Sequence, residues 1–200
     1  NPGKCYPSRG WICVRAIMKY ITGIGSRETP YEIIKMMHGI GADLCHSSKG
    51  FTLRSGGADG ADTAFEFGAD AVVGEVEIFL PWKGFNKDSE QRKDLPVSDL
   101  YLAAMPKDRV LKAKEIAARH HPVWNRLTHG AQLLHTRNVF QVLGRNLDSP
   151  SNVLICWTKG GGVKGGTATA MKIAKEHGVQ IFNLYSPIDI TLYNEWKASL

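Results

Sequence analysis

The segment Leu53-Arg54-Ser55-Gly56-Gly57-Ala58-Asp59-Gly60-Ala61-Asp62 joins an apolar run to a helix of small residues through a glycine-rich turn. Glycines let the backbone approach a ligand closely, and the unpaired N–H groups at the start of a helix attract negative charge. This segment therefore predicts a phosphate-binding turn between a strand and a helix.

Two further segments have the same character, Gly23-Ile24-Gly25-Ser26-Arg27 and Gly160-Gly161-Gly162-Val163-Lys164-Gly165-Gly166-Thr167. We call residues 23–27, 55–62 and 160–167 the first, second and third glycine turns. In a parallel sheet the turns that follow the strands gather along one edge, so separate segments can share one ligand. The alternative is that each segment is only a tight structural turn.

Apolar runs alternate with helical patterns along most of the chain. The predicted strands are residues 19–24, 51–54, 76–80, 153–157 and 179–184. Such alternation builds mainly parallel sheets. We predict an α/β fold of three layers, α/β/α, with about five strands. After the third strand we expect a helical and loop insertion. It begins after Pro81 with a polar stretch that runs to about residue 98, and it continues with helices at 100–105, 108–121 and 131–147.

The first helix has a clear start signal in Thr29-Pro30-Tyr31-Glu32. Thr29 and Glu32 have the spacing of a capping box, and Pro30 suits the first helical position. An apolar stripe follows, which predicts a helix with one buried face. The stripe consists of Ile33, Met36, Met37, Ile40 and Leu44.

The chain has 200 residues, of which 43% are hydrophobic, and this suits one domain with a full core. We expect a single domain over residues 19–200. Residues 1–18 are expected to be an extension that is either native or left over from cloning. Because no apolar run approaches the roughly 18 residues of a membrane span, we expect a soluble, cytoplasmic protein without a membrane partner. A homo-oligomer is left open.

The cysteines favour a reducing compartment. Cys45 lies in a helical pattern and Cys156 in a strand pattern, where buried free thiols are expected. Cys5 and Cys13 are the pair that a disulfide or half of a metal site would use, and no second Cys/His pair has the spacing of a zinc finger.

Charged residues near the turns are the candidates for chemistry. The net charge of +6 and pI of about 9.2 suit phosphate-bearing partners but do not choose between a nucleotide and a polymer. Arg27 can hold two phosphate oxygens, and its alternative role is a surface ion pair. Asp59 and Asp62 suit a metal or a ribose hydroxyl, or simply cap a helix. Glu66, one helical turn after Asp62, is the candidate base.

Histidine and aromatic residues give weaker signals. His120, His121, His129 and His135 lack the spacing of a metal site, and we predict no metal. His135 is a candidate to face the pocket. Trp82 and Phe85 lie beside Lys83 and Lys87, a combination that suits base stacking and phosphate pairing. Their alternative role is a hydrophobic latch that pins the loop to the body of the domain.

The order of these motifs resembles a known family. Gly25-Ser26-Arg27, then Ser55 to Asp62, then Arg137-Asn138, then Gly165-Gly166-Thr167-Ala168-Thr169-Ala170 are similar to the Rossmann-like core of the DNA-processing protein A (DprA) family. That family belongs to the SLOG superfamily, which includes the LOG-type nucleotide hydrolases. Residues 25–30 and 81–86 look most like the small DprA-like proteins of bacteriophages. The resemblance covers about residues 19–185.

The resemblance implies a nucleotide or nucleic-acid phosphate site. It predicts these ligand-binding residues: Gly25, Ser26, Arg27, Ser55, Gly56, Gly57, Ala58, Asp59, Asp62, Arg137, Asn138, Gly165, Gly166 and Thr167. Trp82 and Phe85 are the expected stacking residues, and Glu66 and His135 the expected polar pocket.

Two departures limit the functions that the resemblance implies. DprA proteins usually continue into a winged-helix domain, for which this chain ends too early, so recombinase loading is in doubt. LOG-type enzymes carry a catalytic glutamate soon after the Gly-Gly-x-Gly-Thr turn, whereas Thr167 precedes Ala168-Thr169-Ala170-Met171. We therefore expect a binding protein more than an enzyme.

Three functions follow, in order of preference. The first is binding of a nucleotide or nucleotide derivative, with no other cofactor expected; in a bacteriophage setting the resemblance implies sequestration of a signalling nucleotide in the host cytoplasm. The second is binding of single-stranded DNA in recombination. The third is hydrolysis of a nucleotide N-glycosidic bond by Glu66 or Asp62.

Overall fold

The computed structural model describes residues 18–163 and 165–200. It contains a five-stranded parallel sheet in the order β3-β2-β1-β4-β5. The strands are β1 (Lys19–Gly25), β2 (Phe51–Ser55), β3 (Val76–Ile78), β4 (Val153–Trp157) and β5 (Gln180–Asn183). The helices are α1 (Tyr31–Cys45), α2 (Ala61–Asp70), α3 (Lys107–His120), α4 (His129–Leu143), α5 (Gly166–Glu176) and α6 (Pro187–Ala198).

The sheet separates two apolar cores. Helices α1, α2 and α6 pack on one face, and α3, α4 and α5 pack on the other. The alternation along β1 supplies both cores, because Ile21 faces the first group of helices and Ile24 the second. This arrangement is the predicted three-layer α/β/α fold, and it is Rossmann-like.

Small residues let the first face pack closely. A side chain at Gly23 of β1 would meet the Phe65 ring, and one at Gly41 of α1 would meet the Phe65 carbonyl. One at Gly68 of α2 would meet the His38 carbonyl. The two helices therefore approach backbone to backbone. The start of α2 lies against the end of β1, where a side chain at Gly25 would meet the Ala61 methyl group.

The predicted capping box at α1 is wrong. Pro30 occupies the cap position itself, with extended backbone angles and no side-chain cap bond. The Thr29 hydroxyl donates instead to the carbonyl of Ser26 at 2.7 Å. The hydroxyl thus stabilises the first glycine turn rather than the helix end.

The insertion contains less helix than predicted. Residues 100–105 hold only one 3-10 turn, Leu102–Ala104, and β3 ends at Ile78 instead of Leu80. Leu80 forms an isolated bridge with Tyr101, so the chain continues beside the sheet without a full strand. Helices α3 and α4 agree with prediction within a few residues.

The buried thiols Cys45 and Cys156 are free, as expected. Burial raises the pKa of each thiol to about 12, so both are inert at neutral pH. Cys5 and Cys13, and nearly all of the predicted extension, lie outside the described residues.

Candidate functional site

A cleft of about 510 Å³ opens at the carboxyl edge of the sheet. It lies above β1 and β4, where the strand order reverses, since the chain passes from β1 to β2 on one side and from β4 to β5 on the other. Open α/β sheets bind their ligands at such a switch point. The lining residues are Ile24, Gly25, Ser26, Arg27, Glu28, Ala58, Asp62, Ala131, Leu134, His135, Arg137, Asn138, Thr158, Lys159, Gly165, Gly166 and Thr167.

The first glycine turn forms one wall of the cleft. The Ser26 N–H donates to the carbonyl of Trp157 at 3.2 Å, and the Ser26 carbonyl accepts from the Ala61 N–H at 3.4 Å. A side chain at Gly25 would lie 2.6 Å from the Ala61 methyl group, so this position requires glycine. The turn is thereby fixed between β4 and α2, and its Arg27 side chain is exposed at the cleft.

The third glycine turn forms the opposite wall through the start of α5. Gly165 caps this helix with a φ of 72°, a left-handed conformation that favours glycine. Among the described residues, a Cβ atom at Gly166 would meet no atom within 4 Å beyond its chain neighbours and the backbone of its own helix. The first N–H groups of an α-helix have no partner inside the helix, and they carry partial positive charge. This wall of the cleft therefore favours an anion.

The second glycine turn is already bonded to the protein's own side chains. The Gly57 N–H donates to Glu66 Oε1 at 3.0 Å, and the Ala58 N–H donates to Asp62 Oδ2 at 3.4 Å. The Gly60 N–H donates to Gln91 Oε1 at 2.8 Å. These N–H groups are engaged, and Ala58 and Asp62 are the members of this turn that line the cleft.

The polar stretch at residues 82–98, which we call the excursion, covers the second glycine turn. Besides Gln91, its Asn86 side chain donates to the Gly57 carbonyl at 3.1 Å, and its Ser89 hydroxyl donates to Asp59 at 2.6 Å. Arg92, which is buried, forms an ion pair with Glu66. Asp59 therefore holds the excursion and does not line the cleft.

Arg137 reaches the cleft from α4, but its guanidinium is engaged. It donates to the Gly56 carbonyl and to Asn138 Oδ1, and one of its nitrogens lies 3.7 Å from Asp62 Oδ2. A side chain at Gly56 would collide with the guanidinium, which explains the glycine there. Burial lowers the pKa of Arg137, and the nearby Asp62 and Glu66 carboxylates oppose the shift.

The two buried acids of α2, Asp62 and Glu66, differ in their access to the cleft. Burial raises the pKa of Asp62, with Arg137 opposing, and Asp62 lines the cleft. Burial also raises the pKa of Glu66, with Arg92 and the Ser55 hydroxyl opposing. Glu66 does not line the cleft, because Ser55, Gly57 and Arg92 surround its carboxylate.

His135 lines the cleft as predicted, and its Nδ1 lies 2.9 Å from the Thr169 hydroxyl. Its ring packs against His121, with 4.5 Å between the ring centroids. Burial lowers the pKa of His135 to about 4, so the ring is neutral at pH 7.

Within residues 18–163 and 165–200, no three His, Cys, Asp or Glu side chains are arranged to hold a metal.

Neither predicted stacking residue lines the cleft. Phe85 is buried in a small apolar cluster with Ala58, Ile78 and Leu80. Trp82 packs edge-on against Phe85 with 5.0 Å between centroids, and it is 40% exposed. The pair acts as the hydrophobic latch that pins the excursion to the domain.

The structure thus brings most of the predicted site together. Gly25, Ser26, Arg27, Ala58, Asp62, His135, Arg137, Asn138, Gly165, Gly166 and Thr167 line the cleft. Ser55, Gly56, Gly57, Asp59 and Glu66 lie behind it.

Six further lining residues were not predicted from the sequence: Ile24, Glu28, Ala131, Leu134, Thr158 and Lys159. Helical spacing was a usable signal for two of them, because Leu134 and Ala131 precede Asn138 and His135 by one turn of α4. Lys159, adjacent to the third glycine turn, forms an ion pair with Glu28 across the cleft mouth at 3.2 Å.

No protein-family model, curated protein or solved structure matches this chain. None of the described helices combines the length and the apolar character that crossing a bilayer would require.

Proposed function

We propose that the chain binds a nucleotide or a nucleotide-derived phosphate ligand in the cleft at the switch point. The observation that carries the proposal is the position of Arg27 and the start of α5 on opposite walls of one cleft. A guanidinium and a helix N-terminus are two independent means of holding a phosphate. Their convergence favours an anionic group between them.

The rest of the lining suits an uncharged, partly apolar group. Ile24, Ala131 and Leu134 supply apolar surface, and His135 is neutral at pH 7. The Asp62 carboxylate lines the same cleft and suits a sugar hydroxyl. A nucleoside attached to a phosphate combines these properties, and the cleft volume is within the usual range of about 300–1,000 Å³ for ligand sites.

The resemblance to DprA-like proteins of the SLOG superfamily supports the same proposal. We propose that the chain is a DprA-like protein of the small bacteriophage type in which the first and third glycine turns serve the ligand. The second turn then has a structural role, since its N–H groups bond to Glu66, Asp62 and Gln91. Sequestration of a signalling nucleotide is the biological role that this proposal favours.

A second candidate, binding of single-stranded DNA, is favoured by one separate observation. An open groove of about 660 Å³ follows α3, and its lining includes Arg119, Arg126, His121 and Trp124. None of the described residues that line it is acidic. Cations beside aromatic rings suit a strand whose bases stack and whose phosphates pair.

Hydrolysis is the least supported candidate. Glu66, the proposed base, lies behind the second glycine turn and is ion-paired with Arg92. A general base must come within hydrogen-bond reach of the group that it deprotonates. The position of Glu66 therefore argues against Glu66 as the base. Asp62, the other candidate, lines the cleft, with its Oδ2 3.7 Å from a nitrogen of Arg137.

Calorimetric titration with AMP tests the first candidate. We expect Arg27→Ala to weaken binding by about tenfold, through loss of charge-assisted hydrogen bonds. We expect Gly166→Val to weaken it as well, because the new side chain would extend into open space at the cleft and block approach to the start of α5.

Arg145→Ala is the matched control, because Arg145 is also an exposed arginine but precedes β4 and so lies toward the opposite edge of the sheet. Unchanged affinity in folded Arg27→Ala and Gly166→Val proteins would exclude the cleft as the phosphate site.

A further inference from the structure

A buried amide supports the third glycine turn from below. Asn183 is the last residue of β5 and is 5% exposed. Its Oδ1 accepts hydrogen bonds from the N–H groups of Thr158 and Tyr185, both at 3.2 Å. Its Nδ2 donates to the Thr158 hydroxyl at 2.7 Å and to the Gly161 carbonyl at 3.3 Å.

This set of contacts fixes the orientation of the amide. The backbone N–H groups of Thr158 and Tyr185 can only donate, so the oxygen of Asn183 must face them. Both amide hydrogens and both oxygen lone pairs are then used, which is the full capacity of an asparagine side chain. Aspartate lacks the two donors, and leucine lacks both functions.

The partners of Asn183 connect it to the cleft. Thr158 lines the cleft, and Gly161 belongs to the third glycine turn. The other end of this turn is held by Asn138, whose Nδ2 donates to the Gly166 carbonyl at 2.9 Å. Two buried amides therefore hold the turn, Asn183 near its beginning and Asn138 where α5 starts.

We propose that Asn183 is a positioning residue for the anion-binding end of the cleft. It does not line the cleft itself, and it acts by fixing Thr158 and Gly161. This inference rests on the proposed function, because it assigns Asn183 a role in binding the phosphate ligand. From the sequence, Asn183 was predicted only as part of the fifth strand.

The test combines NMR-detected amide exchange with titration of AMP and of inorganic phosphate. Asn183→Leu should speed exchange at Thr158 and Tyr185, whose N–H groups lose their acceptor. Exchange at Leu184 should change little, because its N–H donates to the Cys156 carbonyl at 2.7 Å and serves as an internal reference for global unfolding. Affinity for both probes should fall by about tenfold, the effect of two modest hydrogen bonds.

Two further variants sharpen the test. Asn183→Asp keeps the oxygen that accepts from the Thr158 and Tyr185 N–H groups, but it loses both donors. Amide exchange should therefore become faster at Gly161 and stay slow at Thr158 and Tyr185. This variant also keeps the proposal testable if Asn183→Leu does not fold. Asn194 is an exposed asparagine on α6, so Asn194→Leu is the matched control. It should leave amide exchange and ligand affinity unchanged.

Titration and amide exchange test the two proposals separately, ligand binding in the cleft and the positioning role of Asn183. If the wild-type protein binds neither AMP nor phosphate, the proposed function fails, while the exchange arm still decides whether Asn183 fixes the turn. If the wild type binds and both folded Asn183 variants bind as tightly as the wild type, the positioning role is overturned. It is also overturned if Thr158 stays protected in Asn183→Leu and Gly161 stays protected in Asn183→Asp.

Discussion

His135 is a buried side chain of the cleft whose protonation state affects the free energy of unfolding. Its ring lies between Thr169 of α5 and His121, and it is 7% exposed. Arg137 is on the same helix, two residues after His135. Burial, His121 and Arg137 all disfavour a proton on this ring, and they lower its pKa from 6.5 to about 4.

This lowered pKa makes a prediction about acid stability. The unfolded chain takes up the proton at a higher pH than the folded chain, so the contribution of His135 is complete above about pH 6.5 and decreases as the pH falls toward about 4. We expect His135→Gln to remove about 2 kcal/mol of the decrease in unfolding free energy between pH 7 and pH 5. Urea unfolding of both proteins at the two pH values measures it.

His129→Gln is the control for this measurement, because His129 is exposed at the start of α4. Asp62 and Glu66 also titrate, but their contributions are common to the wild type and the variants and cancel in the difference. Equal pH dependence of wild type and His135→Gln would show that the ring protonates as freely in the folded chain as in the unfolded one.

At the scale of single residues, the sequence predicted the walls of the cleft better than its interior. Glycine patterns identified the first and third turns because their conformation is local. In the second turn two N–H groups bond to Glu66 and Asp62, which are near in sequence. The Gly60 N–H bonds to Gln91, and Arg92 pairs with Glu66; Gln91 and Arg92 are distant in sequence and lie in a polar stretch without a period. Local patterns contain no information about such long-range partners.

At the scale of elements, α2 and α5 end in the same backbone pattern but with different residues. The Gly74 N–H donates to the Ala69 carbonyl at 2.8 Å, and the Val179 N–H donates to the Ala174 carbonyl at 2.8 Å. The preceding residues are left-handed: Val73 has a φ of 53° and Gly178 a φ of 67°. Glycine is the usual residue at this position.

Val73 therefore offers a stabilising substitution. Its side chain is 93% exposed, so packing does not offset the cost of about 1–2 kcal/mol that a left-handed conformation imposes on an L-residue. We expect Val73→Gly to raise the free energy of unfolding by about 1 kcal/mol, reduced from the full strain by the flexibility of glycine in the unfolded chain. The midpoint of urea unfolding measures the change.

Gly178→Ala is the reciprocal variant. A Cβ atom there would meet nothing within 4 Å, so backbone strain alone would lower the stability, by about 1 kcal/mol. If both variants have the wild-type midpoint, the two helix ends do not hold this conformation in solution.

The predicted elements succeeded where a short-range pattern was strong. Strand β4 has the predicted bounds, because five apolar residues stand between polar turns. The start of α1 was misread because the side chain of Thr29 has two local partners within reach, a helix N–H and the Ser26 carbonyl, and the first glycine turn decides between them. The 3-10 turn at Leu102–Ala104 depends on the bridge between Leu80 and Tyr101, a contact that no local period encodes.

At the scale of the whole molecule, the net charge of +6 attracts any polyanion. This attraction alone does not distinguish a cleft that holds one nucleotide from a surface that follows a strand. The cleft and the groove after α3 adjoin, because His121 of the groove packs against His135 of the cleft. Their arginines still differ: Arg27 lines the cleft, whereas Arg119 and Arg126 line the groove.

Salt dependence distinguishes the two modes of binding. A single-stranded polymer that contacts several phosphates should lose affinity with a log–log slope of about −0.7 for each phosphate neutralised. If the cleft is the specific site, AMP should bind with a shallow slope, and an oligonucleotide should bind weakly and steeply through the general charge. Titrations of AMP and of oligothymidylates of increasing length across a salt series measure both slopes.

Two arginine substitutions assign each mode to its surface. Arg27→Ala should weaken AMP binding by about tenfold and leave the oligonucleotide slope nearly unchanged, because the cleft holds one phosphate. Arg126→Ala should leave AMP binding intact and reduce the oligonucleotide slope by about 0.7, the contribution of one phosphate contact. Tight, length-dependent oligonucleotide binding that Arg126→Ala weakens, in a protein that shows no AMP binding, would reject the nucleotide cleft and establish the groove as a path for single-stranded DNA.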